Sequence, residues 1–308
     1  MMNGGVFALG ARKDRENFCY GTDSCNEYES HPRQRRQTYV AELRDSSMKQ
    51  NVALNVLAAG LLCLAPLVGQ KTSNSAATTH SVSDAKRLRT GTFTYHDLDH
   101  GKEVGQGTIL VRHLAGSGNY DFVAKSTFAT DFQGFSSQRW EAIATSRFEP
   151  VSARLAFVRD SQITPVFDLI YSSGRVSGYF VKRNGSGQGT KQNVDASIPP
   201  NTVDQRIDWA AVLAINLETG QQFEFNVYDP DTGISLVEGP VRDLEQVKVP
   251  AGTFRAYRVV YQMEKSGLRT EHYQLFASQE SPHVMIREEF PNGVISELVQ
   301  VSKSARRP

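Results

Sequence analysis

Several short stretches carry residue types that could do chemistry. In "HDLDH", His96, Asp97, Asp99 and His100 set imidazoles beside carboxylates, a donor set suited to zinc and other transition metals. At a hairpin tip those side chains diverge, and Asp is a turn residue in its own right, so a solvated turn is expected. "DPDTGISLVE" starts like a calcium loop, with Asp229 and Asp231 followed by Gly233. An EF-hand needs an oxygen ligand at position five, Gly at six and Glu at twelve. Here Gly233 stands at five and Pro240 at twelve, so this too reads as a turn. "NGSGQGTK" has Gly185, Gly187 and Gly189, but not the G-x-G-x-x-G spacing between a strand and a helix that cradles a dinucleotide. It is expected to be a loop.

Nucleophilic catalysis has no local signature. G-x-S-x-G is absent, and nothing in the order of residues sets His113, His272 or His283 beside a serine. Adjacent carboxylates such as Glu288 and Glu289 point to opposite faces of a strand and cannot form a dyad. Trp140 and Trp209 are expected in the core. No catalytic, cofactor-binding or metal-ligating residue is assigned, and no cofactor is expected.

The elements that would position such groups are strands. In "YDFVAKSTF", Tyr120, Phe122, Ala124 and Phe128 share one face, with Asp121, Lys125 and Thr127 on the other. In "QQFEFNVYD", Phe223, Phe225 and Val227 alternate with Gln222, Glu224 and Asn226. Period two means one packed and one wet face, as in antiparallel sheet. Turn residues separate the runs: "DLDHGK" (97–102), "DPDTG" (229–233), "EKSGL" (264–268) and "FPNGV" (290–294), the last with an Asn-Gly pair. The spacing predicts about a dozen strands without βαβ alternation. One stretch differs. "PPNTVDQRIDWAAVLAIN" (199–216) predicts a short helix over about 201–215, with Asn201 as cap and Val203, Ile207, Ala211 and Ala214 on one stripe. Ahead of it, 182–197 is polar and rich in Gly and Ser, and is expected to be a loop. The fold class is all-β: an antiparallel meander rolled into an open or closed barrel, with the helix against an end or the inside face. A β-sandwich is the alternative.

The front of the chain supplies an address. "MKQN" followed by the apolar run Val52–Val68 and small residues fits a secretory signal at 48–77. Met48 is then the natural start, residues 1–47 are an upstream or disordered segment, and 78–308 form a single β-rich domain. The alternatives are a retained inner-membrane anchor and a lipoprotein signal at Cys63, which Leu62 argues against. Cys19, Cys25 and Cys63 all precede residue 78. A domain of that size buries enough core to fold without disulfides. The net charge of +1 argues against a nucleic-acid partner.

The C-terminal half also resembles a known family. The runs "RIDWAAVLAINLETGQQFEFNVYDPDTG", "VKVPAGTFRAYRVVYQMEKSG" and "EHYQLFASQESPHVMIREEFPNGVISELVQV" resemble bacterial exported proteins grouped as domain of unknown function 3108. Pro250, Gly252, Thr253 and Phe254 form its tight turn, and Pro282 through Gly293 to Leu298 its closing hairpin. The resemblance covers 200–302, and 88–182 in strand rhythm. The family often has an aromatic and an Asp before the last hairpin; "FASQESPH" keeps Phe276 but departs with Gln279 and Glu280. The resemblance implies an exported, β-rich protein and carries over no catalytic residue. The expected function is that of a non-catalytic exported envelope protein, periplasmic or secreted, binding an apolar ligand or lipid-bearing partner on a curved sheet. A structural or assembly factor that engages an envelope protein is the alternative, and a hydrolase the third reading.

Overall fold

The structure is a computed structural model that describes residues 83–132, 134–183, 189–265 and 269–302. The leader read over 48–77, and everything before it, lies outside the described residues. After a 3-10 turn at Ala85–Arg87 come strands β1 (Gly91–Asp99), β2 (Lys102–Leu114), β3 (Asn119–Phe132), β4 (Phe135–Ala144), β5 (Pro150–Arg159), β6 (Gln162–Ser172), β7 (Arg175–Arg183) and β8 (Gly189–Ser197). There follow β9 (Thr202–Asp204), a 3-10 turn at Gln205–Ile207 and helix α1 (Asp208–Leu213). The chain continues with β10 (Gln222–Asp229), β11 (Gly233–Val249), β12 (Gly252–Lys265), β13 (Arg269–Ser278), β14 (Met285–Glu289) and β15 (Val294–Ser302).

Among the described residues all 15 strands belong to one sheet, in the order β8-β7-β6-β5-β4-β3-β2-β1-β15-β14-β13-β12-β11-β10-β9. It consists of two meanders, joined where β1 pairs antiparallel with β15. Its end strands, β8 and β9, do not pair with each other, so the roll is not closed by backbone hydrogen bonds. One continuous ribbon rules out the sandwich. The expected alternation is present: Tyr120, Phe122 and Ala124 on β3, and Phe223, Phe225 and Val227 on β10, are buried.

Turn chemistry fixes the register. His100 and Gly101 both have positive φ (49° and 78°), as do Ser173 and Gly174 (49° and 72°), the geometry of the tight hairpin turn that matches strand twist. At "DPDTG", Asp229 Oδ1 accepts hydrogen bonds from the backbone N–H of Asp231 and Thr232. One glycine is required for another reason. Gly178 on β7 has φ 141°, and a Cβ there would sit 2.0 Å from the Asp168 carbonyl oxygen of β6. No other residue lets these strands approach so closely.

Two expectations need correction. Residues 189–197 are not loop but strand β8, paired with β7 from Arg175↔Ser197 to Arg183↔Gly189. Residues 189–193 of this end strand are exposed and only Val194 and Ala196 reach the core, so polarity concealed it. Residues 184–188 lie outside the described residues. The helix is also shorter than 201–215. Asn201 takes a left-handed φ of 57° rather than a cap, and Thr202–Asp204 pair in parallel with Asn226–Tyr228. Asp204 caps the 3-10 turn ahead of α1, its Oδ1 accepting from Arg206 N at 2.9 Å. Every residue from Thr202 to Ile215 is buried, so there is no wet face to create a stripe. The segment lies inside the rolled sheet. A helix end buried away from water needs partners for its carbonyls. The segment before β1 supplies them: Ser83 Oγ donates to Ala211 O (3.0 Å), and Asp84 N donates to Ala214 O (2.9 Å).

Candidate functional site

The inner face of the sheet, from β1 across its junction with β15 to β12, carries a polar layer within the apolar core. Alternation on β1 places Asp97 in phase with Phe93 and Tyr95, all buried. In the same way Tyr261 on β12, Glu271 and Tyr273 on β13, Glu288 on β14 and Ser296 on β15 point inward. Asp208, the first residue of α1, completes the group from inside the roll. Tyr261 Oη donates to Glu288 Oε1 (3.0 Å), Tyr273 Oη to Glu271 Oε2 (2.9 Å), and Ser296 Oγ to Asp97 Oδ1 (2.7 Å). Tyr95 Oη donates to the Met285 carbonyl at 3.1 Å. The rings of Tyr261 and Tyr273 stack in parallel, centroids 5.0 Å apart.

Burial dominates the electrostatics. Glu288, 1% exposed, is held well above the usual carboxylate range by loss of water and then by the charge of Asp208, with the Tyr261 hydrogen bond pulling the other way. Asp97, 2% exposed, is pushed up to about 7, first by burial and then by Glu103, against the stabilising bond from Ser296. The Tyr95, Tyr261 and Tyr273 hydroxyls are raised by burial first, with nearby carboxylates adding to it.

A raised carboxyl favours the fold while protonated, and that contribution is lost as pH climbs from the unfolded value toward the folded one. For Asp97 the window runs from about 4 to about 7. Asp97→Asn should therefore gain about 3–4 kcal/mol over the native chain across that window. Urea unfolding at a series of pH values checks this; parallel profiles for the two proteins would refute it.

A second buried network closes the seam between the meanders. Arg206 Nε donates to Asp204 Oδ1 (2.7 Å), Nη1 to Asp229 Oδ2 (2.6 Å) and Nη2 to the Tyr228 carbonyl (3.3 Å). From the opposite side, Tyr171 on β6 donates to Asp204 Oδ2 (2.5 Å), and the Phe167 ring lies 4.7 Å under the guanidinium. Lys182 on β7 meets Asp231 at 3.6 Å. Side chains thus join β6 and β7 to β9 and β10, where backbone pairing does not.

On the outside, a register shift between Val241 and Leu244 bulges β11 against β12. A depression of about 750 Å³ lies there, with Leu244 and Val260 among its apolar walls and Arg242, Arg258, His272 and Glu289 among its polar ones. Arg258 meets Glu245 at 3.3 Å.

The motifs singled out in the sequence do not converge. In "HDLDH", His96 faces Glu103 (3.9 Å) and His100 faces Asp99 (3.8 Å), while Asp97 turns inward. Asp97 is thus a buried acid, which corrects the reading of the whole stretch as a solvated turn. Asp229 serves a turn and the seam. His113 packs near Tyr120, His272 reaches the outer depression, and His283 is buried with Nδ1 2.8 Å from the Ser278 carbonyl. Burial lowers the His283 pKa. Glu288 and Glu289 do face opposite ways, but Glu288 has Asp208 for a neighbour instead. Among the described residues no group of three or more His, Cys, Asp or Glu could hold a metal ion. None of the described helices is long and apolar enough to cross a membrane. Sequence reasoning passed over Asp208 and Glu271, and named Asp97 and Glu288 without placing them in the interior. Three of them, Asp97, Glu271 and Glu288, are acids in the apolar phase of a strand, a signal present in the sequence.

Comparison with known proteins gives a family and a set of distant structures. The sequence model of a family described as a protein of unknown function (DUF3108) matches residues 76–299. A beta-barrel-like protein of domain of unknown function DUF1849 from Brucella abortus is 10% identical, with a TM-score of 0.47, covering 71% of this chain and 99% of that one. A protein with a YmcC-like fold from Bacteroides fragilis is 14% identical, with a TM-score of 0.32, covering 72% of this chain and 100% of that one. No curated protein matches.

Proposed function

Since the chain belongs to the DUF3108 family, whose members are of unknown function, we propose that it is a non-catalytic, exported protein of the bacterial cell envelope that engages a partner protein through its outer surface. The observation that carries this reading is the occupied interior: Thr202–Ile215 fill the concave face of the roll, every residue buried. A carrier keeps that face for its cargo; here the protein's own chain takes the place. The acids with the most displaced ionisation, Asp97 and Glu288, are sealed from solvent, where no substrate reaches them. Export rests on the leader pattern at 48–77.

The outer depression favours a second reading. Its apolar walls, Leu244 and Val260, offer a patch for the acyl chain of a lipid-bearing partner, rimmed by Arg242 and Arg258 and by Asp243, Glu245 and Glu289.

Both are tested by producing the full chain with a C-terminal tag in a Gram-negative host, fractionating the cells and cross-linking before purification. The expected result is leader-cleaved protein outside the inner membrane, carrying one envelope protein at a fixed ratio. Stoichiometric lipid in an organic extract, with no protein partner, would replace the first reading with the second. Uncut protein in the cytosol would refute both.

A further inference from the structure

Glu288 stands out among the interior acids. Its Oε1 accepts from Tyr261, but its Oε2 is buried with no hydrogen-bond partner. The titratable groups that couple to it come from several elements: Asp208 from α1, Asp97 and Tyr95 from β1, Tyr261 from β12 and Tyr273 from β13, with Glu271 acting in turn on Tyr273. Glu103 on β2 adds its charge to Asp97. No Lys or Arg is among these groups. Arg287 and Glu289, on either side in sequence, pair with each other on the outer face at 2.8 Å. A charge on Glu288 therefore meets only like charge and uncharged hydroxyls. Asp208 is the strongest of those like charges, and it is the residue on which α1 begins. Its Oδ1 also accepts from Trp209 N at 2.7 Å, so whatever moves Asp208 moves the first turn.

We propose that α1 is seated by a proton: with Glu288 protonated the helix packs against β12–β14, and ionisation of Glu288 drives Asp208 away and loosens the helix inside the roll. The orphan Oε2 is where the proton resides, since a carboxylate there would be desolvated with no donor to compensate. The effect is local. Other partners of the segment, the Arg206 network at its start and Ser83, Asp84 and Arg87 at its end, are not among the groups that act on Glu288. Loosening α1 uncovers the aromatic inner face, so the occupied interior becomes a property of pH. This goes beyond the envelope reading and does not depend on it.

Hydrogen exchange of the full chain, read by mass spectrometry between about pH 5 and pH 9 and corrected for intrinsic rates, tests it. As pH rises, peptides covering 208–215 should lose about tenfold or more in protection beyond the loss that β2–β4 show through the titration of Asp97. Glu288→Gln should flatten the profile of 208–215, and Asp208→Asn should make it shallower. A pH-independent α1, equal loss everywhere, or an unchanged slope in Glu288→Gln would each overturn the proposal. Should the Gln variant not fold, the contrast between α1 and β2–β4 in the native chain decides.

Discussion

Replacing Arg206 with alanine is expected to destabilise the protein by about 3–5 kcal/mol, the cost of leaving a buried charge without its partner. Asp204 is 0% exposed and would keep only the Tyr171 hydroxyl and its bond to the backbone N–H of residue 206. The guanidinium spans Asp204, Asp229 and the Tyr228 carbonyl at once, while lying over Phe167. A lysine ammonium has neither the planar fork nor the stacking face, so Arg206→Lys should recover less than half of the loss. Removing Arg206 and Asp204 together, as in Arg206→Met with Asp204→Leu, should restore part of the stability, because the buried acid goes with its partner while Asp229 and the Tyr171 hydroxyl each lose one. Urea unfolding of the variants measures all three. A loss below about 1 kcal/mol for alanine would mean that the seam is not held by this residue.

Trp209→Ala carries an expected loss of similar size, about 3–5 kcal/mol, for a different reason. Trp209 is 2% exposed and meets Phe122 edge to face, centroids 6.5 Å apart and planes at 90°. Its Nε1 donates to the Arg206 carbonyl at 3.0 Å. Truncation empties the centre of the roll, where no water can compensate for the lost packing. Trp209→Phe keeps most of the volume and should cost about 1–2 kcal/mol, part of it from the unpaired carbonyl. Since Trp209 bonds to the backbone of Arg206, the two alanine variants should be non-additive, and the double variant should lose less than the sum. Thermal or urea unfolding checks both, and a loss under about 1 kcal/mol for Trp209→Ala would place the side chain outside the core.

Sequence reasoning reached the parts of the fold that local rules dictate. A strand with one wet face announces itself by period two, as in "QQFEFNVYD", and hairpin tips such as His100–Gly101 announce themselves by turn residues. Those suffice for a rolled antiparallel meander. β8 escaped because this end strand, unlike β9, is exposed over most of its length and sets only Val194 and Ala196 against the core, so its polar residues look like loop. Residues 199–216 were overread because a segment buried on all sides has no periodicity; the three residues of β9 are set by their pairing with β10, a contact distant in sequence. The polar interior was legible in principle. Phe93, Tyr95 and Asp97 share a phase, as do Glu271, Tyr273 and Leu275, and as do Ile286, Glu288 and Phe290. What local pattern cannot supply is that β1, β14 and α1 bring Asp97, Glu288 and Asp208 together. The family resemblance, read from residues 200–302, extends through 76–299.

The central claim is that residues 202–215 lie inside the rolled sheet. Ala211, 0% exposed, is the position to probe, in a chain whose Cys19, Cys25 and Cys63 are replaced by serine. With Ala211→Cys, a thiol reagent should label the folded protein about a thousandfold more slowly than the urea-unfolded chain, while Ser177→Cys on the outer face of β7 labels at once. Equal, rapid labelling at both positions in the folded protein would contradict the account.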